Sequence, residues 1–122
     1  MSTPPETFAH AISQRLRAKA LSFPETSEGT SCVNRAFKVR KKNFVFVGEK
    51  DDNVRVMVKL SESLDAARAL GDPRIGLGSI GWVTLNFAPD DAPDPEMLEG
   101  WIEESFRTLA PKTVVRKWEA GG

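Results

Sequence analysis

The sequence holds one cysteine, one histidine and no net charge, and each scarcity removes a class of function. With Cys32 alone there is no internal disulfide and no multi-cysteine metal site. With His10 alone there is no histidine-rich metal site, and a Ser/His/Asp triad has little to draw on. His10 falls in an expected helix, where a structural histidine fits better than a catalytic one. No apolar run approaches the ~20 residues that a membrane span needs. The start, MSTPPETFAH, lacks the basic residues and apolar stretch of a secretory leader, so a cytoplasmic protein with no membrane partner is expected. Phosphate-binding glycine loops, zinc spacings and nucleophile elbows are missing too. GDPRIGLGSIG contains glycines but not the strand-then-helix context of a phosphate loop. Cys32 ends a polar loop and has only His10 to serve as a base, so it is read as structural or incidental. The adjacent carboxylates Asp51/Asp52, Asp90/Asp91 and Glu103/Glu104 fall in turns or on a helix surface rather than converging on a cleft. They are read as solvent-facing. No enzyme, no cofactor and no metal are expected.

What is there is the material of one globular domain spanning 1–122. Of the 122 residues, 40% are hydrophobic and 28% charged, an ordinary balance for a folded chain. TPPE at Thr3–Glu6 has capping-box spacing, and Phe8, Ile12 and Leu16 follow at helical intervals over Phe8–Leu21. FPETSEGTS breaks the pattern and reads as a loop. Val33–Arg40, Asn43–Gly48 and Val54–Leu60 read as strands, the first two joined by a tight KK turn and the last two by a GEKDDN loop. A short helix with Ser61 as its cap runs to a stop at Gly71. GDPRIGLGS reads as an irregular connection and IGWVTLNF as a fourth strand. Asp94 caps a long helix with Pro95 at its first position. In it, Leu98, Trp101, Ile102, Ser105, Phe106 and Leu109 form one stripe. A final helical turn or two covers Lys112–Trp118. The expectation is an α+β fold, an antiparallel sheet of four strands with the Phe8–Leu21 and Asp94–Leu109 helices on one face.

The zero net charge hides a segregation. Arg35–Lys59 carries eight cations against three anions, a net of +5, and Asp90–Glu104 carries seven anions and no cation. Such asymmetry can mark a polyanion-binding face. It equally suits two blocks that face each other or stay solvated, and the acidic block reads mostly as a solvated helix face. Alternation places Phe37, Val39, Val54, Val56, Val58, Val83, Leu85 and Phe87 toward the helices. Lys38, Arg40, Arg55, Met57, Lys59, Trp82, Thr84 and Asn86 then share the other side. A basic surface with an aromatic suits single-stranded nucleic acid, and is also how an antiparallel sheet with one wet face looks by default. The candidate nucleic-acid-binding residues are Arg35, Lys38, Arg40, Lys41, Lys42, Arg55, Lys59 and Trp82, with Lys41 and Lys42 at a projecting turn.

The ordered series LSFPETSEGTSCVNRAFKVRKKNFVFVGEKDDNVRVMVKL, GWVTLNF and LEGWIEESFRTLAPKTVVRKW resembles the MmcQ/YjbR family. The matching positions are Pro24, Gly29, Phe37, Lys38, Val39, Lys42, Phe44, Lys59, Trp82, Ser105, Phe106, Pro111 and Lys112. The resemblance implies a compact α+β domain with a frataxin-like (CyaY-like) topology, similar to a double-wing arrangement of hairpins, of a kind commonly labelled DNA-binding. It departs from the family in GLGSIGW, where many members carry a His/Asn/Lys-rich segment. It does not imply the iron handling of frataxins, whose acidic first helix is replaced here by one bearing Arg15, Arg17 and Lys19. The leading expectation is a non-enzymatic, monomeric module that binds DNA weakly and in a salt-dependent way. The rival is a protein-interaction or small-ligand module built on Trp82, Met57 and the Gly71–Gly81 loop.

Overall fold

The computed structural model describes residues 8–31, 34–72, 74–91 and 94–121. The expected capping box at Thr3–Glu6 lies outside these residues, as does Cys32. One six-stranded sheet comprises β1 (Thr26–Ser31), β2 (Asn34–Val39), β3 (Lys42–Lys50), β4 (Asn53–Lys59), β5 (Ile75–Leu77) and β6 (Trp82–Phe87). The strand order is β1-β2-β3-β4-β6-β5, and every neighbouring pair is antiparallel. The helices are α1 (Phe8–Leu21), α2 (Leu64–Ala69), α3 (Pro95–Leu109) and α4 (Lys112–Glu119).

The α+β class is as expected, but the sheet is wider by its two edge strands. FPETSEGTS, expected as a loop, supplies β1, and GDPRIGLGS supplies β5. Both segments are glycine-containing and lack alternation, because an edge strand has one neighbour and buries little; pairing with β2 and β6 makes them strands.

The apolar stripe of α3 packs as its spacing dictates, with Leu98, Trp101, Ile102, Ser105 and Phe106 all buried. With Leu16 and Ala20 of α1, it covers Phe37, Val39, Val56, Val58, Val83 and Leu85 on one face of the sheet. Asp94 caps α3 by accepting the Glu96 N–H at 3.0 Å. Helix α4 closes one end of this core. Phe23 stacks on Phe106 with centroids 4.3 Å apart and planes at 8°, and Trp118 meets both rings edge-on.

Two local irregularities set the faces of the central strands. Between β2 and β3 the register slips: Phe37 pairs with Val45, but Lys38 pairs with Asn43. Phe44 is the extra residue of this β-bulge, so consecutive Phe44 and Val45 are both fully buried. The second is the β3–β4 turn. The expected GEKDDN loop is mostly strand, and only Asp51 and Asp52 turn, with φ of 51° and 62° between the paired Lys50 and Asn53. Two consecutive residues at positive φ make the hairpin turn whose twist matches its strands, and aspartate is among the few non-glycine residues that tolerate it.

Of the carboxylates expected to face solvent, Asp51, Asp52 and Asp90 are exposed and the other three partly so. One member of each pair also binds backbone amides. Asp52 Oδ1 accepts the Ala9 N–H at 3.0 Å, tying the β3–β4 turn to the start of α1. Asp91 Oδ2 accepts the Ala88 N–H at 2.6 Å. Glu104 accepts the Ser61 and Ser63 N–H groups at 2.9 and 3.0 Å and the Ser63 hydroxyl at 2.6 Å. Ser63, not Ser61, therefore precedes α2, and the partner of its exposed amides comes from α3. Two other acids of α3 pair with α1: Glu99 with Arg15 at 2.8 Å and Glu103 with Lys19 at 3.8 Å. The acidic block thus meets Arg15 and Lys19 of the first helix and, through Asp91, Arg74, rather than the basic block of the sheet.

Candidate functional site

The face of the sheet turned away from α1 and α3 carries the candidate site, and the pairing register names its occupants. Residues directly opposite across strands point the same way. One row runs Gly29, Ala36, Phe46, Met57, Thr84 and Gly76. On one side of it lies Lys38, beside Ser27 and Asn43, and also Lys59 opposite Trp82. On its other side Gly48, Arg55 and Asn86 are aligned. The centre is apolar and aromatic: the rings of Phe46 and Trp82 lie 5.9 Å apart at 54°, and both are partly exposed. The flanks are low, with Gly29 and Ala36 to one side and Gly76 to the other.

Of the predicted cations, the structure brings Lys38, Arg55 and Lys59 to this face together with Trp82. Arg35 is not on it. Arg35 pairs with Val47 and so lies on the helix side. There Glu28 receives Arg17 Nε on one oxygen and Arg35 Nη1 on the other, both at 2.7 Å. Burial works against the charge on Glu28, but these two hydrogen bonds outweigh it and hold its pKa below the usual carboxylate value. Arg40 is also drawn off. It stands in the β2–β3 turn at φ 54°, and its guanidinium grips both oxygens of Glu25 at 2.9 and 3.3 Å. That hydrogen bond, with the charge behind it, lowers the Glu25 pKa.

Lys42 pairs with Val39, on the helix side, and lines a small notch with Arg40, Lys41 and Pro111. The projecting turn is therefore a separate feature from the open face. Among the described residues, the side chains of Lys38, Lys41, Lys42, Arg55 and Lys59 make no hydrogen bond or ion pair within the chain. Uncommitted cations of this kind are available to an anionic partner.

Phe46 is the member of the face that the sequence pattern did not reveal. Phe44-Val45-Phe46-Val47 reads as a run with no wet side, and the bulge at Phe44 shifts the parity so that Phe46 alone faces outward. The signal was indirect: four consecutive apolar residues cannot all point inward in a sheet covered on one side only.

The architecture that positions this face belongs to a recognised family. The chain belongs to the YjbR family. The family model, described as YjbR, matches residues 21–108, from the end of α1 through all six strands to the penultimate residue of α3. No curated protein sequence matches the chain. The YjbR match takes in Phe37, Lys38, Lys59, Trp82 and Ser105, and stops short of Pro111 and Lys112. Among the described residues no helix is long and apolar enough to cross a membrane, and no three His, Cys, Asp or Glu are grouped to hold a metal ion.

Proposed function

We propose that this YjbR-family protein is a non-enzymatic, cytoplasmic binding module whose open sheet face takes nucleic acid, single-stranded DNA before duplex. The observation that carries the reading is the partly exposed Phe46–Trp82 ring pair on the sheet face turned away from α1 and α3, flanked by Lys38, Arg55 and Lys59, whose charges are uncommitted among the described residues. Bases stack on exposed rings while phosphates seek cations along the groove, and such stacking contributes about 1–3 kcal/mol per base. A duplex hides the faces of its bases, so a flat aromatic platform favours unpaired strands. A catalytic role finds no support in the carboxylates, since one member of each adjacent pair is occupied with backbone N–H groups.

The test is binding of a short oligothymidylate and of duplex DNA of unrelated sequence across a salt series. Three phosphate contacts on a single strand should give a slope of log affinity on log salt near −2, from about −0.7 per contact. Trp82→Ala should weaken oligonucleotide binding by about ten-fold, within the stacking range. Salt-independent behaviour, or no binding at low salt, overturns the reading.

A second reading, contact with a protein or small ligand through the 71–81 loop, has its own observation. Ile80 is 76% exposed and sits at φ 51°, a conformation that a β-branched side chain rarely adopts. Gly81, at φ 87°, holds it there: a Cβ on Gly81 would lie 2.6 Å from the Leu60 carbonyl, which the turn approaches to place Gly81 O on the Leu60 N–H at 2.9 Å. This reading predicts that Ile80→Ser abolishes binding of a partner whose affinity is indifferent to salt.

A further inference from the structure

Beside the stacking platform, where β3 and β4 reach their turn, lies a pocket of about 410 Å³ lined by residues 48–51, residues 53–55 and Asn86. Its Gly48, Arg55 and Asn86 border the row of Phe46, Met57 and Thr84 on the side away from Trp82. Arg55 and Asn86 are cross-strand partners on the open face, each two residues along its strand from Met57 and Thr84. Gly48, opposite Arg55, contributes no side chain and leaves the floor low. A strand whose bases stack on Phe46 and Trp82 would bring its next base here.

Lys50 and Arg55 are the cations of the pocket, Glu49 and Asp51 its carboxylates. Glu49 pairs with Val54 on the helix side, and its carboxylate turns to His10 at 3.7 Å. Asp51 is left as the carboxylate of the pocket. Asp51 and Asp52 both stand at positive φ, where glycine would relieve the turn, yet the chain keeps a carboxylate at each. The one on Asp52 is used on the Ala9 N–H. Arg55 supplies a planar fork of donors that no other described residue engages.

Among the four bases only guanine matches a guanidinium and a carboxylate together. Its O6 and N7 are adjacent acceptors suited to an arginine fork, and its N1–H and N2–H are adjacent donors suited to one carboxylate. Adenine and cytosine each place an acceptor where the carboxylate would sit, and thymine offers a single donor between two acceptors. We propose that this pocket is a guanine-reading subsite, with Arg55 donating to O6 and N7, Asp51 accepting from N1–H and N2–H, and Asn86 beside them. The inference rests on the nucleic-acid reading of the open face and makes Arg55 a base contact rather than a phosphate contact, leaving Lys38 and Lys59 for the backbone.

The experiment compares a short oligothymidylate with versions carrying one central guanine, adenine or cytosine, by fluorescence anisotropy at fixed salt. The guanine version should bind about ten-fold more tightly, within the range of one bidentate base contact. The adenine and cytosine versions should not gain. Asp51→Asn keeps a residue that accepts positive φ and should bring the guanine preference close to one. Guanosine monophosphate alone should shift the amide resonances of Arg55 and Asn86, and adenosine monophosphate should not. Equal affinity for all four oligonucleotides, or a preference that survives Asp51→Asn, overturns the subsite while the platform reading stands. If no oligonucleotide binds but guanosine monophosphate still shifts Arg55 and Asn86, the platform reading falls and the pocket remains. Silence of both probes removes both.

Discussion

The hydroxyl of Ser105 stands between the backbones of two strands, donating to the Phe44 carbonyl and accepting the Lys59 N–H at 2.9 Å. The β3–β4 register ends at Val45 and Val58, and the next rung is bridged by a side chain of α3 instead of closing directly. The bulge at Phe44 that turns Phe46 outward is thereby anchored from the core side. Ser105→Ala would leave a buried carbonyl and an amide without partners, at a cost of about 1–3 kcal/mol. Urea unfolding should show that loss, and a change below about 0.5 kcal/mol would mean that the ladder closes without the serine. The same variant should weaken oligonucleotide binding at a concentration where the protein remains folded, because the bulge places Phe46.

Trp101 fills the space between α3 and the sheet with only 9% of its surface exposed. Trp101→Ala should cost about 3–5 kcal/mol, the range for truncating a large core side chain. A loss under about 1 kcal/mol in the same measurement would contradict the burial of that face of α3.

The open face and the projecting turn make opposite forecasts. Reversing Lys38 and Lys59 together to glutamate should flatten the salt slope for single-stranded DNA by about 1.4, from about 0.7 per contact. Reversing Lys41 and Lys42 should change it much less, because Lys42 is on the helix side of the sheet and the neighbouring Arg40 is held by Glu25. The melting temperature should hold in both double variants, since all four side chains lie at the surface. The opposite ranking of slopes would locate binding at the turn.

Asp72 provides a pH signature near the sheet's β5 edge. Side-chain and backbone hydrogen bonds from Arg74 hold its carboxyl down to about 2, from an ordinary 3.8. A depressed acid stabilises the folded state fully above its unfolded pKa, and that contribution fades as the pH falls through the folded value. Wild type should therefore exceed Asp72→Asn in stability at pH 5, with the gap closing as the pH falls from about 4 toward 2. Denaturant midpoints at several acidic pH values measure it, and a gap that stays constant down to pH 2 would assign the effect to shape rather than charge.

Much of this molecule is written in short-range pattern. The stripe from Leu98 to Phe106, the alternation of Val54, Val56 and Val58, and the Asp94-Pro95 start of α3 are visible because a helix or strand repeats within a few residues. The same alternation places Lys38, Arg55, Lys59 and Trp82 on one side of the sheet. The rest depended on which strand lies beside which. A single extra residue at Phe44 inverts the face of Phe46, and the apolar run at residues 44–47 shows only that one of its members must face outward. Arg35 and Arg40 look like their free neighbours until β1, read as a loop, brings Glu25 and Glu28 beside them. Asp52 and Glu104 look like surface acids until the start of α1 and the segment before α2 arrive with unsatisfied amides. Charge pairing and hydrogen-bond satisfaction act over a few ångströms of space at separations of up to 43 residues for these acids, so they are settled only when the chain has folded.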